Sequence, residues 1–153
     1  MKSLTWRRLT PAEHALAVEM FGQGLKGARV RIFALPLWNR AFVAGPAWMF
    51  WPAATALSDF AAADAPITTQ ATFVHELTHI WQAQHGVDLL RAKLRAGDRA
   101  AAYAYDLSAA MDFSALNIEQ QAMVVEHTFL ASRGEPAPHN RAIYAQISHA
   151  WRA

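Results

Sequence analysis

The pattern of apolar and polar positions predicts helices at both ends of the chain, with a short stretch of strand between the first helix and the rest. Thr10-Pro11-Ala12-Glu13 has the form of a capping box with proline at the first helical position, so a helix should run to about Phe21 and stop at Gly22-Gln23-Gly24. Residues 28–35 begin with the period-two alternation of a half-exposed strand, and Pro36 ends it. Residues 41–44 and 47–51 are short apolar runs on either side of Gly45-Pro46, which predicts a hairpin or two edge strands. Asp59 to Ala65 reads as a short helix or loop, and Pro66 opens the next long helix.

On a helical wheel, Ile67, Val74, Leu77 and Trp81 gather on one side of that long helix. Thr68, Thr72, His79 and Gln82 lie near His75 on the other. Gly86 stands where a C-cap glycine ends a helix, and residues 87–96 predict a second, short one. Gly97 and Asp98 interrupt it, and Ala100 to Asp106 leads into an irregular stretch through Phe113. Asn117 and Gln120 then cap a helix whose core face is Ile118, Ala122, Val125 and Phe129 and which Gly134 closes. Beyond Pro136 and Pro138 a last helix carries Ile143, Ile147 and Trp151.

Composition narrows the class. A chain of 153 residues is the length of one domain, taken here as residues 1–153, and is long enough to bury a core. A hydrophobic fraction of 54% against 17% charged argues against disorder. The absence of cysteine removes a disulfide framework, a cysteine zinc ribbon and a thiol nucleophile together. The net charge is only +2, and the basic groupings Arg7-Arg8, Arg29/Arg31 and Arg91/Lys93/Arg95/Arg99 read as solvated faces, so no nucleic-acid partner is expected. Residues 1–8 are basic but lead into Pro11, Glu13 and His14 where a secretory signal would have an apolar run; a cytoplasmic protein is expected, with export left to a specialised machine. Residues 41–58 carry no charge, but Gly45, Pro46 and Pro52 within them favour strands and turns over a membrane span.

The chemistry concentrates in His75-Glu76-Leu77-Thr78-His79, an H-E-x-x-H motif. Residues four apart on a helix lie about 40° apart and about 6 Å along the axis, so both imidazoles can reach one Zn²⁺ ion. Glu76 lies at the edge of the same face, where a carboxylate suits the general base of metal-assisted hydrolysis. A catalytic zinc needs a third protein ligand. Glu119 can deliver a carboxylate from a separate helix; Glu126, almost two turns further along the same face, is a weaker substitute. His85 falls ten residues after His75, but Gln82 occupies the position at which a glycine would let the chain swing that histidine round, so Glu119 ranks well above it.

The combination of Leu9-Thr10-Pro11-Ala12-Glu13, Ala28-Arg29-Val30-Arg31-Ile32, residues 75–82 and Ile118-Glu119-Gln120-Gln121-Ala122 resembles the small bacterial Vgr-related proteins. It is more distantly similar to the peptidase-like core domain found with extracellular contractile injection systems. Both are of the gluzincin type. The resemblance implies an α+β fold, mainly helical and zincin-like, with a small sheet or hairpin beside the H-E-x-x-H helix. It also implies His75, His79 and Glu119 as zinc ligands and Glu76 as base. One departure matters: four residues after the ligand glutamate such proteins usually carry an acidic residue, and here Met123 stands there, leaving Asp59, Asp64 or Asp106 as substitutes.

The expected function is zinc-dependent hydrolysis of a peptide or protein substrate. Tyr103, Tyr105 and His127 are the candidate donors to the oxyanion by residue type, with Tyr105 put first. The competing expectation is a catalytically weak or inactive peptidase-like adaptor or cargo of a phage-tail or contractile injection system, which Met123 favours and the intact Glu76 disfavours.

Overall fold

Strand pairing starts one element earlier than the sequence pattern predicts. In the computed structural model, which describes residues 1–97, 99–107 and 112–152, Trp6–Arg8 forms β1 and pairs antiparallel with β2, Arg31–Leu35, Trp6 lying opposite Phe33. Three residues reading Trp-Arg-Arg are too short to show an alternation, so only the partner strand reveals them. The expected strand at 28–35 begins later, because Gly27–Arg29 closes into a 3-10 turn first. β3, Phe42–Ala44, and β4, Trp48–Pro52, form the expected antiparallel hairpin around Gly45, whose φ is +70°. β4 runs parallel to β2, giving the order β1-β2-β4-β3.

Alternation along these strands sorts the sheet into two faces. Ile32, Ala34, Met49 and Trp51 are buried on the inner face, while Trp6, Phe33, Phe42, Trp48 and Phe50 line the outer one. Helix α1, Pro11–Phe21, starts at the predicted capping box. Its Glu13 is wholly buried and does more than cap. It takes a forked pair of bonds from Arg7 on β1 at 2.6 and 2.7 Å and one each from the backbone N–H of Thr10 and of Phe60, both at 2.8 Å. One carboxylate therefore ties together a strand, a helix and the loop after β4.

Helix α2, Ile67–Gln84, packs against β3 and β4 on one side and against α4, Ile118–Ser132, on the other. Val74 and Leu77 are buried as the wheel predicts. Thr78, His79 and Gln82 are buried too, because α4 covers the polar side of the helix. The α4 core face, Ile118, Ala122, Val125 and Phe129, is buried throughout. Between them lies α3, Leu89–Ala96, which buries no residue fully. The expected interruption at Asp98 and part of the irregular stretch before Phe113 fall outside the described residues.

The last helix divides into α5, Arg141–Ile147, and α6, His149–Arg152. α6 seats on the end of α1: Trp151 donates its indole N–H to the Met20 carbonyl at 3.0 Å. A Cβ at Gly22, where φ is +57°, would lie 2.3 Å from the Arg152 carbonyl oxygen, so this helix stop demands glycine twice, for its backbone and for its neighbour. The architecture is α+β. Among the described residues no helix is long and apolar enough to cross a membrane.

Candidate metal centre

α2 and α4 run antiparallel, and their facing polar residues form a ladder. At one end Gln82 donates to the Ile118 carbonyl and to Gln121 Oε1, both at 2.9 Å. One turn along, His79 faces Glu119, and a further turn along His75 faces Glu126. Ala122, wholly buried, lets the two backbones approach in the middle. Asn117 caps α4 through the N–H groups of Glu119 and Gln120, which fixes the first turn that carries Glu119.

His75, His79 and Glu119 converge. Oε2 of Glu119 lies 3.4 Å from Nε2 of His75 and 3.5 Å from Nε2 of His79. Three donors bound to one tetrahedral zinc at its usual bond lengths stand roughly 3.4 Å apart. Among the described residues these three are the one group of potential ligands close enough to share an ion. Each histidine also has its Nδ1 occupied, His75 by Glu126 at 2.9 Å and His79 by Gln82 at 2.8 Å. Such partners fix the tautomer and ring plane so that Nε2 faces the ligand position. The position four residues after Glu119 is Met123, but Glu126, one turn further, supplies the carboxylate; Asp59 instead accepts from the Ala61 N–H.

Glu76 is buried beside this group. Its Oε2 has no hydrogen-bond partner among the described residues, a costly arrangement unless a polar partner arrives. Burial raises its pKa, against the pull of His79 and His75. Burial also disfavours the charged form of His75, but hydrogen bonds to Glu119 and Glu126 outweigh it and push the pKa up to about 9. Glu119, despite its own burial, is held well below the usual carboxylate range by His75, His79 and Lys93. Lys93 on α3 reaches Oε1 of Glu119 at 2.6 Å and Tyr103 OH at 2.9 Å, leaving Oε2 to the histidines. The donor set, the approach of Glu119 to both histidines and the orphaned Glu76 oxygen fit a zinc ion.

The remaining sequence candidates lie apart from the ligands. His85 caps the end of α2, its Nδ1 2.8 Å from the Trp81 carbonyl oxygen and its ring against Trp81. The Tyr105 hydroxyl is 2.5 Å from His127 Nδ1 and 2.6 Å from the Tyr144 hydroxyl, in a cluster that also includes His139. His127 follows Glu126 on α4, which sets this cluster beside the ligand helix; burial raises the Tyr105 pKa and lowers that of His127. Sequence reasoning missed Gln82 and Lys93 as supports of the ligands. The signal for Gln82 was its i, i+3 relation to His79; Lys93 had none beyond its place on an amphipathic helix.

No family model matches the chain. It is 30% identical over 149 residues to the type VI secretion system spike protein VgrG2b of Pseudomonas aeruginosa, an alignment covering 88% of the chain and 14% of the spike protein. The chain therefore corresponds to a small part of that relative's length. Among solved structures it is similar to the effector domain of Pseudomonas aeruginosa VgrG2b, with a TM-score of 0.71 and 27% identity over 95% of this chain and 83% of that one. Both likenesses support the resemblance to Vgr-related proteins.

Proposed function

We propose that the chain is an effector-type module of an injection system that hydrolyses peptide bonds with a zinc ion held by His75, His79 and Glu119. The observation that carries this reading is the buried, unpartnered Oε2 of Glu76 beside three potential ligand atoms that all lie within 4.8 Å of one another. Zinc at this site would supply Lewis acidity, polarising a carbonyl and making water acidic enough to lose a proton near neutral pH. Glu76 Oε2 accepts that proton and passes it to the leaving amine, a role suited by a pKa that burial has raised. Glu126 and Gln82 keep the imidazoles oriented, and Lys93 holds Glu119 by one oxygen. The edge strand β3, which α2 contacts, offers main-chain groups for an extended peptide. Donation to the oxyanion falls to Tyr105 only if its hydroxyl leaves His127 and Tyr144; Tyr103 is bridged to Glu119 through Lys93.

The likeness to part of a spike protein favours a second reading, in which the fold travels as cargo or adaptor without catalysis. Glu76→Gln separates the two. Assayed with zinc content on an unfolded protein substrate, the peptidase reading expects cleavage by the wild type and a loss of about 10²-fold or more in the variant at unchanged zinc. A zinc-loaded wild type that cleaves nothing at a rate above that of Glu76→Gln overturns it in favour of the silent module.

A further inference from the structure

The outer face of the four-stranded sheet carries a continuous belt of rings that the metal centre does not use. Trp6 meets Trp48 edge-on at 6.2 Å, Trp48 stacks toward Phe50 at 6.4 Å, Phe50 stacks on Phe42 at 4.9 Å, and Phe42 meets Trp38 at 5.6 Å. Phe33 fills the centre, 5.7 Å from Phe50. Much of this remains in water: Trp6 is 53% exposed, Trp38 49% and Trp48 39%. Apolar patches of this kind mark interaction surfaces more often than accidents.

Two leucines extend the belt. Leu4 precedes β1 and bonds to Ala34 at the end of β2, and Leu37 follows β2, so both stand at one end of the sheet. Leu4 is 67% exposed and Leu37 wholly so. They are also the two non-glycine residues with positive φ among the described residues, at 58° and 55°. A left-handed backbone is unfavourable for leucine, and neither gains burial within the chain in return. The segments that build this face carry charge of one sign, with Arg8 opposite Arg31 at the end of the sheet away from the leucines. Residues 1–12 and 20–58 contain Lys2, Arg7, Arg8, Lys26, Arg29, Arg31 and Arg40 and no Asp or Glu. Arg7 is spent on Glu13, and the Arg31 guanidinium lies over the Trp6 ring at 5.5 Å.

We propose that this face docks peripherally on an anionic lipid bilayer, Leu4, Leu37 and the tryptophan rings entering the boundary between headgroups and acyl chains while Arg8 and Arg29, toward the other end of the sheet, meet the phosphates. Tryptophan, with an apolar body and a polar N–H, suits that boundary, and exposed leucine at a loop tip gains there what the folded chain denies it. Basic residues add attraction to anionic lipid. A single-stranded nucleic acid fits less well, because leucines cannot stack on bases and Phe42 and Phe50 already stack on each other.

The test is co-sedimentation of the purified chain with vesicles of phosphatidylglycerol and phosphatidylcholine, and with phosphatidylcholine alone, at low and high salt. Binding to the anionic vesicles is expected, with a blue shift of tryptophan emission and weakening in salt. Leu37→Ser with Trp38→Ser should cut the bound fraction about 10-fold or more, and so should charge reversal by Arg8→Glu with Arg29→Glu, which leaves the belt intact. Leu90→Ser with Leu94→Ser, removing the exposed leucines of α3, should change nothing. No binding to anionic vesicles, equal binding to neutral ones, full binding by the charge-reversed variant, an equal loss in the α3 control, or retention on an oligonucleotide in place of vesicles would each overturn the proposal.

Discussion

Oε2 of Glu126 sits 2.9 Å from Nδ1 of His75, so the carboxylate absent at position 123 reaches the candidate ligand histidine from one helical turn further on. Removing an outer partner of this kind typically costs about 10–100-fold in metal affinity. Glu126→Gln should weaken zinc binding by that factor, read by competition with a chromophoric chelator, while Met123→Glu should do little, because His75 Nδ1 is already engaged. An unchanged affinity in Glu126→Gln would remove Glu126 from the site.

The ligand set predicts its own pattern of loss. His75→Ala, His79→Ala and Glu119→Ala should each abolish stoichiometric zinc, whereas His85→Ala should keep it, as measured by elemental analysis of proteins purified in parallel. Zinc that survives Glu119→Ala would place the third ligand elsewhere.

Metal-free protein should lose stability as pH rises from about 6.5 to 9. His75, raised to about 9, holds a proton in the folded chain that the unfolded chain releases near its ordinary value. Its contribution is complete below about pH 6.5 and is lost as pH rises through about 9. The lowered His127 acts in the other direction and only toward acid, so it leaves this window clear. The melting temperature of chelator-treated protein across that range is the measurement, and Glu126→Gln should flatten the decline; a rise with pH would contradict the His75 assignment.

Arg7→Ala should destabilise the chain by about 3–5 kcal/mol, since it strands the buried Glu13 carboxylate without its counter-charge. The thermal midpoint should fall by roughly 10 °C, well beyond the effect of Arg8→Ala on an exposed neighbour. A drop no larger than that of Arg8→Ala would mean that the fork contributes nothing net.

Local chemistry made much of this fold legible. Thr10, Pro11 and Glu13 announced the start of α1, Asn117 and Gln120 the start of α4, and Gly45-Pro46 the β3–β4 turn, because caps and turns are decided by residues within a few positions of each other. Long-range partners were not legible. β1 exists because β2 offers it a ladder, and the parallel pairing of β2 with β4 leaves no mark on either strand alone. At the site, helical spacing brought out His75 and His79. The roles of Glu126, Gln82 and Lys93 depended on how α2, α3 and α4 pack, so the tertiary structure was needed to find them. The same holds for Arg7, which reads as half of a surface pair in sequence and proves to be the counter-ion of a buried carboxylate.

The Gln82 amide spans from His79 to the first turn of α4, so the contact that docks the two helices is also the contact that aims a ligand. With Glu126 on His75 and Lys93 on Glu119, every candidate ligand side chain is held by the protein itself. Assembly and charging are thereby separable events. On the peptidase reading proposed above, the folded chain would stay silent until zinc reached it.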